Sequence, residues 1–353
     1  MMKKITNKVL VVVIIFQLLI SSNFIQAGNK DRVGQAGAAQ LLINPWARSS
    51  GWWNANSASV RGLEAMYSNI AGTAFTKRTE VLFSRTIWLE GSDVNINSFG
   101  LTQRVGESGV MGMSIMSMGF GEIDIRTVDK PEGGLGTFSP TFTNIGISYA
   151  KEFSNSIYGG INVKIISEGT SNIRGQGVAF DAGIQYVTGE NDEIKLGISL
   201  KNVGTKMKYS GDGITFRGEV PGAPNAMTLS QRSADFELPS LINIGVSYDF
   251  TFTESHKLTA AANFTSNSFS NDQYMAGLEY RYLGMFMLRA GYMGEKNIFD
   301  KEATESVFKG PSTGLTVEMP FKKDSESSIS IDYSYIATRH FGGCHSFGCR
   351  INL

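Results

Sequence analysis

The feature of this sequence that most limits its fold is a strict alternation of apolar residues with small or polar ones. After Leu241, every second residue from Ile242 to Phe252 is apolar, while the positions between hold Asn, Gly, Ser, Asp and Thr. Successive side chains of a β-strand point to opposite faces, so the pattern predicts strands with one apolar and one polar face. The same pattern recurs in residues 178–186, 194–201, 274–282, 315–321 and 329–335. Counting such segments from Thr79 to Leu353 gives about fourteen strands, most near the ~9 to 11 residues that cross a bilayer when tilted.

Two architectures bury one face of such strands: a soluble sandwich with an apolar interior, and an outer-membrane barrel whose apolar face meets lipid around a polar lumen. The barrel is favoured because only 18% of the residues are charged and because Gly and Ser dominate the polar faces. Aromatic residues also cluster toward strand ends, where interfacial girdles lie. We therefore predict an all-β fold, a transmembrane antiparallel β-barrel of about 14 strands over residues 79–353, with an N-terminal plug segment. A soluble secreted β protein is the alternative.

The connections between these segments alternate in length. On one side they are short, at residues 106–107, 154–155, 189–192, 254–255, 283–284 and 323–326. On the other side they are longer, at residues 129–141, 167–175, 206–239, 266–273, 295–309 and 338–345, and only residues 90–92 break the rule. Short periplasmic turns with long outer loops are typical of bacterial outer-membrane barrels.

The amino terminus indicates the compartment. Lys3, Lys4 and Lys8 precede an apolar run over residues 9–20, and Ala27 closes the stretch. This pattern predicts a secretory signal peptide at residues 1–27, with an uncleaved membrane anchor as the alternative. No later stretch is long and apolar enough to be a spanning helix, so we predict a multi-pass β-barrel in the outer membrane of a Gram-negative cell, in contact with outer-membrane lipid.

Residues 28–78 separate the signal peptide from the first strand and do not alternate. They contain three Trp residues, which argues against the alternative of a disordered leader. We predict that this segment folds into the lumen as a plug. The residues expected to carry the plug are Trp46, Arg48, Trp52, Trp53, Asn69 and Gly72.

Part of the same segment resembles the amino-terminal signature of the PorV/PorQ family, which is related to the FadL-type barrels. Residues 37–51 read GAAQLLINPWARSSG, and their Ala-Arg pair at positions 47 and 48 matches a pair in that signature. Residues 69, 71 and 72 match its Asn-Pro-Ala-Gly turn, with Ile70 in place of Pro. The resemblance implies an outer-membrane barrel of the type IX secretion system of Bacteroidetes. It implies partners among secreted cargo proteins, bound by their C-terminal signal domains, and among translocon or attachment-complex subunits, with some relatives serving gliding adhesins.

The largest predicted outer loop, residues 206–239, is the candidate surface for such a partner. It is rich in the aromatic, Met and Arg residues that are enriched in interface cores. The candidate binding residues are Tyr209, Phe216, Arg217, Met227, Leu229, Arg232 and Phe236, joined by Phe299 and Phe308 from residues 295–309. The alternative is a solvated loop that packs on its own barrel.

Motifs of enzymes and of nucleic-acid binding are missing from the sequence. Lys plus Arg and Asp plus Glu both number 32, and a net charge of zero excludes the basic footprint of a nucleic-acid binder. Only 3 His occur, and neither a His-Glu-x-x-His nor a Gly-x-Ser-x-Gly motif is found. We predict a non-enzymatic protein without cofactor or metal. The inward acids Asp181, Glu279, Glu318 and Asp332 are expected to pair with Lys164, Lys195, Arg281 and Arg289.

The 2 cysteines, Cys344 and Cys349, lie close together near the carboxyl terminus. In an oxidising envelope they are candidates for a disulfide that pins the last outer loop. That bridge requires the chain to leave an extended strand between them, because five extended residues span ~16 Å and a disulfide tolerates only ~7 Å between Cα atoms. Free thiols are the second interpretation, and a metal site with His340 and His345 is the third.

A function of another class is a FadL-like transporter of hydrophobic small molecules. It requires an apolar cavity of ligand size and an exit route, for which residues 110–121 are the candidate. The inward positions of the other strands are mostly Gly, Ser, Asn, Lys and Glu, which favours a filled polar lumen and hence the secretion role. A purely structural barrel is a third alternative.

Overall fold

The computed structural model describes residues 32–222, 224–296, 306–321 and 327–353. The signal peptide predicted at residues 1–27, the candidate Phe299 and the turn predicted at residues 323–326 lie outside the described residues. Within the described ranges, no helix has the length and apolar character needed to cross a membrane.

Fourteen antiparallel strands form one closed barrel. The strands are β1 (Thr79–Trp88), β2 (Val94–Val105), β3 (Gly109–Gly119), β4 (Thr141–Ser154), β5 (Ile157–Thr170), β6 (Ile173–Thr188), β7 (Ile194–Gly204), β8 (Leu241–Thr253), β9 (His256–Asn267), β10 (Gln273–Tyr282), β11 (Phe286–Glu295), β12 (Phe308–Pro320), β13 (Ser328–Thr338) and β14 (Cys344–Asn352). Each strand pairs with the next one in the chain, and β14 pairs with β1 to close the sheet. Closure leaves no open sheet edge in a membrane, where an unpaired backbone group is costly. The predicted all-β barrel is confirmed.

The apolar residues of the alternating segments lie on the outer face of the barrel wall, and the small or polar ones lie on the inner face. On β8 the outward Ile244 is 50% exposed, whereas the inward Asn243 is only 8% exposed. On β6 the outward Ile184 is 58% exposed and the inward Gln185 only 1%. An apolar outer surface is stable against hydrocarbon and not against water, so this surface faces lipid.

The short connections lie at one end of the barrel and the longer ones mostly at the other, which we call the turn end and the loop end. Turns at residues 106–108, 155–156, 189–193, 254–255 and 283–285 define the turn end. At the loop end, the largest connection, residues 205–240, contains the short strands Tyr209–Ser210, Thr215–Gly218 and Met227–Ser230 and a 3₁₀ turn, Asp212–Ile214. The second largest, residues 120–140, contains a pair of two-residue strands, Ile123–Asp124 and Thr137–Phe138.

One predicted loop is wrong. We expect a long outer connection at residues 167–175, but β5 and β6 continue to a turn at Ser171 and Asn172. The ladder is unbroken up to Thr170 and Ile173. Alternation is lost there because the tip of the hairpin passes beyond the lipid layer, where neither face has to be apolar.

Residues 32–78, which we call the lumen segment, form short helical pieces within the barrel. These are the 3₁₀ turn Ala39–Leu42, α1 (Ala47–Ser50), the 3₁₀ turn Gly62–Glu64, α2 (Ala65–Ser68) and the 3₁₀ turn Ile70–Phe75. Its Trp46, Ala55, Leu63 and Ala71 are buried against the wall and against each other.

Glycines on the inner wall let this segment approach the strands closely. A Cβ added at Gly291 would lie 2.4 Å from Cα of Trp52, and one at Gly197 would lie 2.8 Å from Cα of Ala58. Both contacts are to backbone atoms, which cannot move aside as a flexible side chain can. Further inward glycines that face the lumen segment are Gly100, Gly112, Gly146, Gly183, Gly245, Gly277 and Gly314. Much of the glycine content of the strands therefore serves packing around the lumen segment.

The wall is regular at β3 and irregular between β6 and β7. Strand β3 pairs without a register shift with both β2 and β4, so the exit route suggested for residues 110–121 has no break in the wall to support it. A register shift instead lies between Phe180 and Ala182, where β6 meets β7. Here Asp181 accepts a hydrogen bond from the backbone N–H of Asn202, at 2.8 Å.

Candidate functional site

The lumen has two halves of different chemistry, and the turn-end half is dominated by buried ion pairs. Arg350 of β14 contacts three carboxylates: Glu64 of the lumen segment, Glu80 (Nε to Oε1, 3.3 Å) and Asp332 (Nη2 to Oδ2, 3.8 Å). Ser49 also donates a hydrogen bond to Glu64. This cluster therefore joins the lumen segment to three neighbouring wall strands, β1, β13 and β14.

Two more clusters complete the charged half. Glu279 accepts from Arg289 (Nε to Oε2, 2.6 Å) and lies 3.5 Å from Nη2 of Arg48, the second ionic contact between the lumen segment and the wall. Asp249 contacts Lys195 and Lys257, with 2.8 Å to Lys257 Nζ. A cavity of about 180 Å³ lies among these groups. Within the sets of inward acids and bases predicted to pair, Glu279 contacts Arg289 and Asp181 contacts Lys164. Lys195 instead pairs with Asp249, and Asp332 with Arg350.

The loop-end half of the lumen is apolar. One buried cluster joins Ala38 and Leu41 of the lumen segment to wall and loop residues, namely Ile96, Met116, Met118, Phe142, Ile166, Ala179, Met207 and Leu238. A second cluster is built around Trp52 and Trp53, with Met275, Met293, Ile336 and Cys344. Burial of these side chains is favourable by roughly 1.5–3 kcal/mol for each large one.

A cavity of about 230 Å³, the inner cavity, lies within this half. Aromatic rings line it: Trp53, Trp88, Phe308 and Tyr67. The Phe308 ring lies edge-on to Trp53, with centroids 4.9 Å apart, and 5.8 Å from the Trp88 ring. Amide and hydroxyl groups of Asn243, Asn263 and Thr265 line another part and bond to one another. The cavity can thus accommodate an apolar ring and a few polar atoms.

Of the described residues that line the inner cavity, one is charged: Lys201 of β7. Its side chain is 3% exposed, and Nζ lies 3.6 Å from the centroid of the Tyr67 ring. Burial raises the pKa of the Tyr67 hydroxyl, which donates a hydrogen bond to the Leu42 carbonyl.

A second cavity, the outer cavity, has a volume of about 500 Å³ and lies at the loop end. It is bounded by the base of loop 120–140, the tip of the β5–β6 hairpin and loop 205–240, with Phe120, Ile173, Tyr209, Ile214 and Arg232 among its lining residues. Tyr209 donates to Glu168 at 2.5 Å. Burial, together with the hydrogen bond to this carboxylate, raises the pKa of Tyr209, so the hydroxyl keeps its proton.

The 3₁₀ turn Ala39–Leu42 separates the two cavities. Gln40 lines the outer cavity, Leu42 lines the inner cavity, and Leu41 between them is buried in the apolar cluster. The turn is tied to loop 205–240 just before it begins: Gly37 N–H donates to the Glu237 carbonyl at 3.0 Å, and Arg32 pairs with the Glu237 carboxylate at 2.9 Å. The partition between the cavities is thus a short piece of chain held to a loop.

The residues predicted for partner binding are distributed over different environments. Phe216, Arg217, Met227 and Arg232 are exposed, while Leu229 is half-buried in the short hairpin of loop 205–240. Phe236 packs against the apolar cluster, and its ring lies 5.3 Å from that of Tyr209. Phe308 faces the lumen. The set therefore does not form one continuous surface, and only Tyr209 and Arg232 line the outer cavity together.

The residues predicted for the plug all lie in the lumen segment against the wall. Trp46 and Trp52 are buried, and Arg48 contacts Glu279. The Asn69 amide donates to the Ile184 carbonyl at 3.1 Å, and its side-chain oxygen accepts from Ala71 N–H. A Cβ at Gly72 would lie 2.1 Å from the Val60 carbonyl oxygen, which requires glycine at this close approach.

The disulfide expected between Cys344 and Cys349 is wrong. Both residues lie in β14, Cys344 buried toward the lumen and Cys349 on the outer face, and both are free thiols. The chain does not leave the extended conformation between them, so the two sulfurs cannot meet. The described residues also contain no group of His, Cys, Asp and Glu that could hold a metal ion. His345 instead contacts Glu90 and Tyr333.

A closed fourteen-stranded barrel with an apolar outer surface and a filled lumen defines an outer-membrane β-barrel. Its fold is similar to those of FadL-type channels of known structure. The CymD monoaromatic hydrocarbon channel matches with a TM-score of 0.54 at 13% identity, over 88% of this chain and 97% of that one. The toluene transporter TbuX of Ralstonia pickettii matches with a TM-score of 0.53 at 11% identity, over 88% and 97%. A FadL homologue of Pseudomonas aeruginosa matches with a TM-score of 0.51 at 13% identity, over 86% and 96%.

No protein-family model and no curated protein sequence matches the chain. The structural likeness shows a barrel fold like that of these channels, and a closed barrel with an apolar outer surface is an outer-membrane barrel. It overturns the role predicted in the type IX secretion system: the matching barrels are hydrocarbon channels, and nothing supports PorV/PorQ membership or secreted cargo as a partner. The resemblance depended on residues 37–72, which pack against the inner wall, so their Gly, Ala and Asn pattern reflects packing in a filled barrel and not a partner.

Proposed function

We propose that this protein is a non-enzymatic channel that admits small hydrophobic molecules through the outer membrane. The observation that carries the proposal is the pair of cavities in the loop-end half, each lined by aromatic and aliphatic side chains together with polar ones, and separated by one 3₁₀ turn. Similarity in fold to channels for toluene and monoaromatic hydrocarbons supports the same interpretation. A molecule of this kind enters the outer cavity from the medium and passes the Ala39–Leu42 turn to reach the inner cavity.

The lumen segment has the role of a plug in this proposal, as part of a plug comprising residues 28–78 that follows a cleaved signal peptide. Its contacts with the wall in the turn-end half are buried ion pairs, which support a fixed position there. Its contact with loop 205–240 at the loop end contains no buried ion pair among the described residues: it consists of the exposed pair of Arg32 and Glu237, a backbone hydrogen bond from Gly37, and apolar packing around Leu41. Movement of the plug is therefore expected at its amino-terminal part, next to the two cavities.

Uptake of toluene by whole cells tests the channel. Gram-negative cells that express the barrel should take up radiolabelled toluene faster than cells with an empty vector. Substituting Ser270→Trp, in the wall of the inner cavity, should return uptake toward the vector level because the indole fills the space. The control Ser266→Trp adds the same ring on the outward face of β9, next to lipid, and should leave uptake unchanged. Equal uptake with and without the wild-type barrel would show that it is not a channel for this class.

A further inference from the structure

Lys201 differs from the other inward lysines of the lumen in that it forms no ion pair with a described residue. Lys164 lies 2.7 Å from Asp181, and Lys195 contacts Asp249. Lys201 has neither an ion pair nor a hydrogen bond among the described residues; its one polar contact is the face of the Tyr67 ring. Among the residues that the structure describes, this 3% exposed amine therefore has no counter-ion.

Asp181 is a carboxylate whose charge acts on Lys201, but it makes no ion pair with Lys201 and already accepts from three other donors. Asp181 Oδ2 accepts from Lys164 and from the Asn162 amide at 3.2 Å, and Oδ1 accepts from the backbone N–H of Asn202. Among the described residues that line the inner cavity, none is Asp or Glu. The protein therefore brings two ammonium groups to this region and one carboxylate.

A residue of the same cavity wall carries a second unused donor. The indole N–H of Trp53 is buried and has no hydrogen-bond partner within the described ranges, and Trp53 is a lining residue of the inner cavity. Buried N–H groups and ammonium ions without partners are costly, and such groups at a cavity mark the place of a missing acceptor. Cation–π contact with one ring offsets only part of the desolvation of an ammonium.

We propose that the inner cavity binds a small aromatic carboxylate, with its carboxylate on Lys201 and its ring among Trp53, Trp88 and Phe308. This inference rests on the proposed channel function and names its substrate class. An aromatic body is favoured because three aromatic rings are part of the cavity lining. A single ring is favoured because a cavity of about 230 Å³ has no room for a long chain. An anionic head group is favoured because Lys201 is the one charged residue in the described part of the lining.

Titration calorimetry on the full-length barrel in lipid nanodiscs tests the proposal with benzoate and with benzamide, its uncharged analogue. Wild-type protein should bind benzoate about tenfold or more tightly than benzamide, since the ammonium gains a charge-assisted bond only with the anion. Lys201→Met should weaken benzoate binding by about tenfold or more and leave benzamide binding unchanged. Lys201→Arg, which keeps the charge, should restore most of the benzoate affinity.

Lys257→Met is the matched control, because it removes a lysine from the turn-end half while Asp249 keeps Lys195. It should not change benzoate binding. Equal affinity of wild-type protein for benzoate and benzamide would overturn the proposal. That comparison uses only the wild-type protein, so it remains decisive even if Lys201→Met does not assemble. If toluene uptake depends on the barrel but benzoate does not bind, the channel stands and the carboxylate proposal fails. If neither probe is bound or taken up, the channel function itself fails.

Discussion

The two halves of the lumen use the same lumen segment in opposite ways. At the turn end, Arg48 and Glu64 of the segment contact charged wall residues, and carboxylates there share cations in clusters. At the loop end, the segment contributes Leu41, Trp52 and Trp53 to apolar clusters. The described part of the cavity wall there contains a lysine and no carboxylate. One half has its charges matched within the protein, while the other has open space and an unmatched charge.

The two halves therefore differ in how easily the lumen segment can move. Buried ion pairs are poor sources of net stability, because desolvation offsets most of their attraction, but breaking one is strongly unfavourable. They therefore fix the position of the segment. Apolar contacts around a cavity are not directional, and a side chain that moves there leaves no charge unpaired. The turn-end half is suited to hold the plug, and the loop-end half is suited to admit a molecule.

The largest effect is expected where the lumen segment is held to the wall. Arg350→Met removes the cation shared by Glu64, Glu80 and Asp332 and should destabilise the barrel by about 3–5 kcal/mol. The measurement is the urea midpoint of unfolding in detergent micelles. Arg217→Met is the control, since Arg217 is exposed in loop 205–240, and it should shift the midpoint little. Equal shifts for the two variants would mean that the charged half does not anchor the segment.

The architecture could be predicted from the sequence because alternation is a local property. The side chains of Ile242 to Phe252 reveal the two faces of β8 without knowledge of any partner strand. The β5–β6 tip could not be predicted from the same pattern, because beyond the lipid layer both faces of Ser167 and Gly175 meet water or loops. The disulfide could not be predicted correctly for a related reason. Cys344 and Cys349 both lie in β14, where Cys344 is one of the buried inward residues, and the sequence pattern does not show that the strand already begins at Cys344.

The site depends on contacts that are distant in the sequence, so much less of it could be predicted. Lys201 looks like any other inward lysine of an alternating strand. Among the described residues it has no counter-ion, because Asp181, next to a register shift in the wall, bonds to Lys164 and Asn202 instead. Phe308 borders a loop in the sequence and suggests an exposed contact, but the fold places its ring against Trp53 and Trp88.

A second prediction concerns the close approach of the segment to the wall. Gly291→Ala places a Cβ 2.4 Å from Cα of Trp52, and because this contact is with backbone it should destabilise the barrel by about 1–3 kcal/mol. Gly294→Ala is a control in the same strand, with its nearest contacts at 3.9 Å. The readout is again the urea midpoint. A neutral Gly291→Ala would indicate that the segment is free to move away from β11.

A third prediction concerns the apolar half. Phe308→Ala removes a half-buried ring from the wall of the inner cavity and should cost about 1–2 kcal/mol of stability, less than a fully buried Phe. It should also enlarge the cavity and speed the uptake of a bulkier probe such as naphthalene relative to toluene. Phe216→Ala, in the exposed hairpin of loop 205–240, should change neither stability nor the uptake ratio. An unchanged ratio in Phe308→Ala would place the path of the molecule elsewhere.

The smallest effect is expected where an ion pair of the lumen segment is exposed. Arg32 and Glu237 are 35% and 43% exposed, so their pair should contribute only about 0.2–1 kcal/mol, and 0.5 M salt should screen much of that contribution. Arg32→Gln should therefore leave the urea midpoint almost unchanged, yet raise toluene uptake in low salt by loosening the tie beside the Ala39–Leu42 turn. Arg350→Met provides the contrast. The pair that it removes, between Arg350 and Glu64, is buried, so the destabilisation that it causes should change little with salt. If Arg32→Gln destabilises the barrel as much as Arg350→Met does, the loop-end tie is as rigid as the turn-end anchor, and the plug cannot open at that end alone.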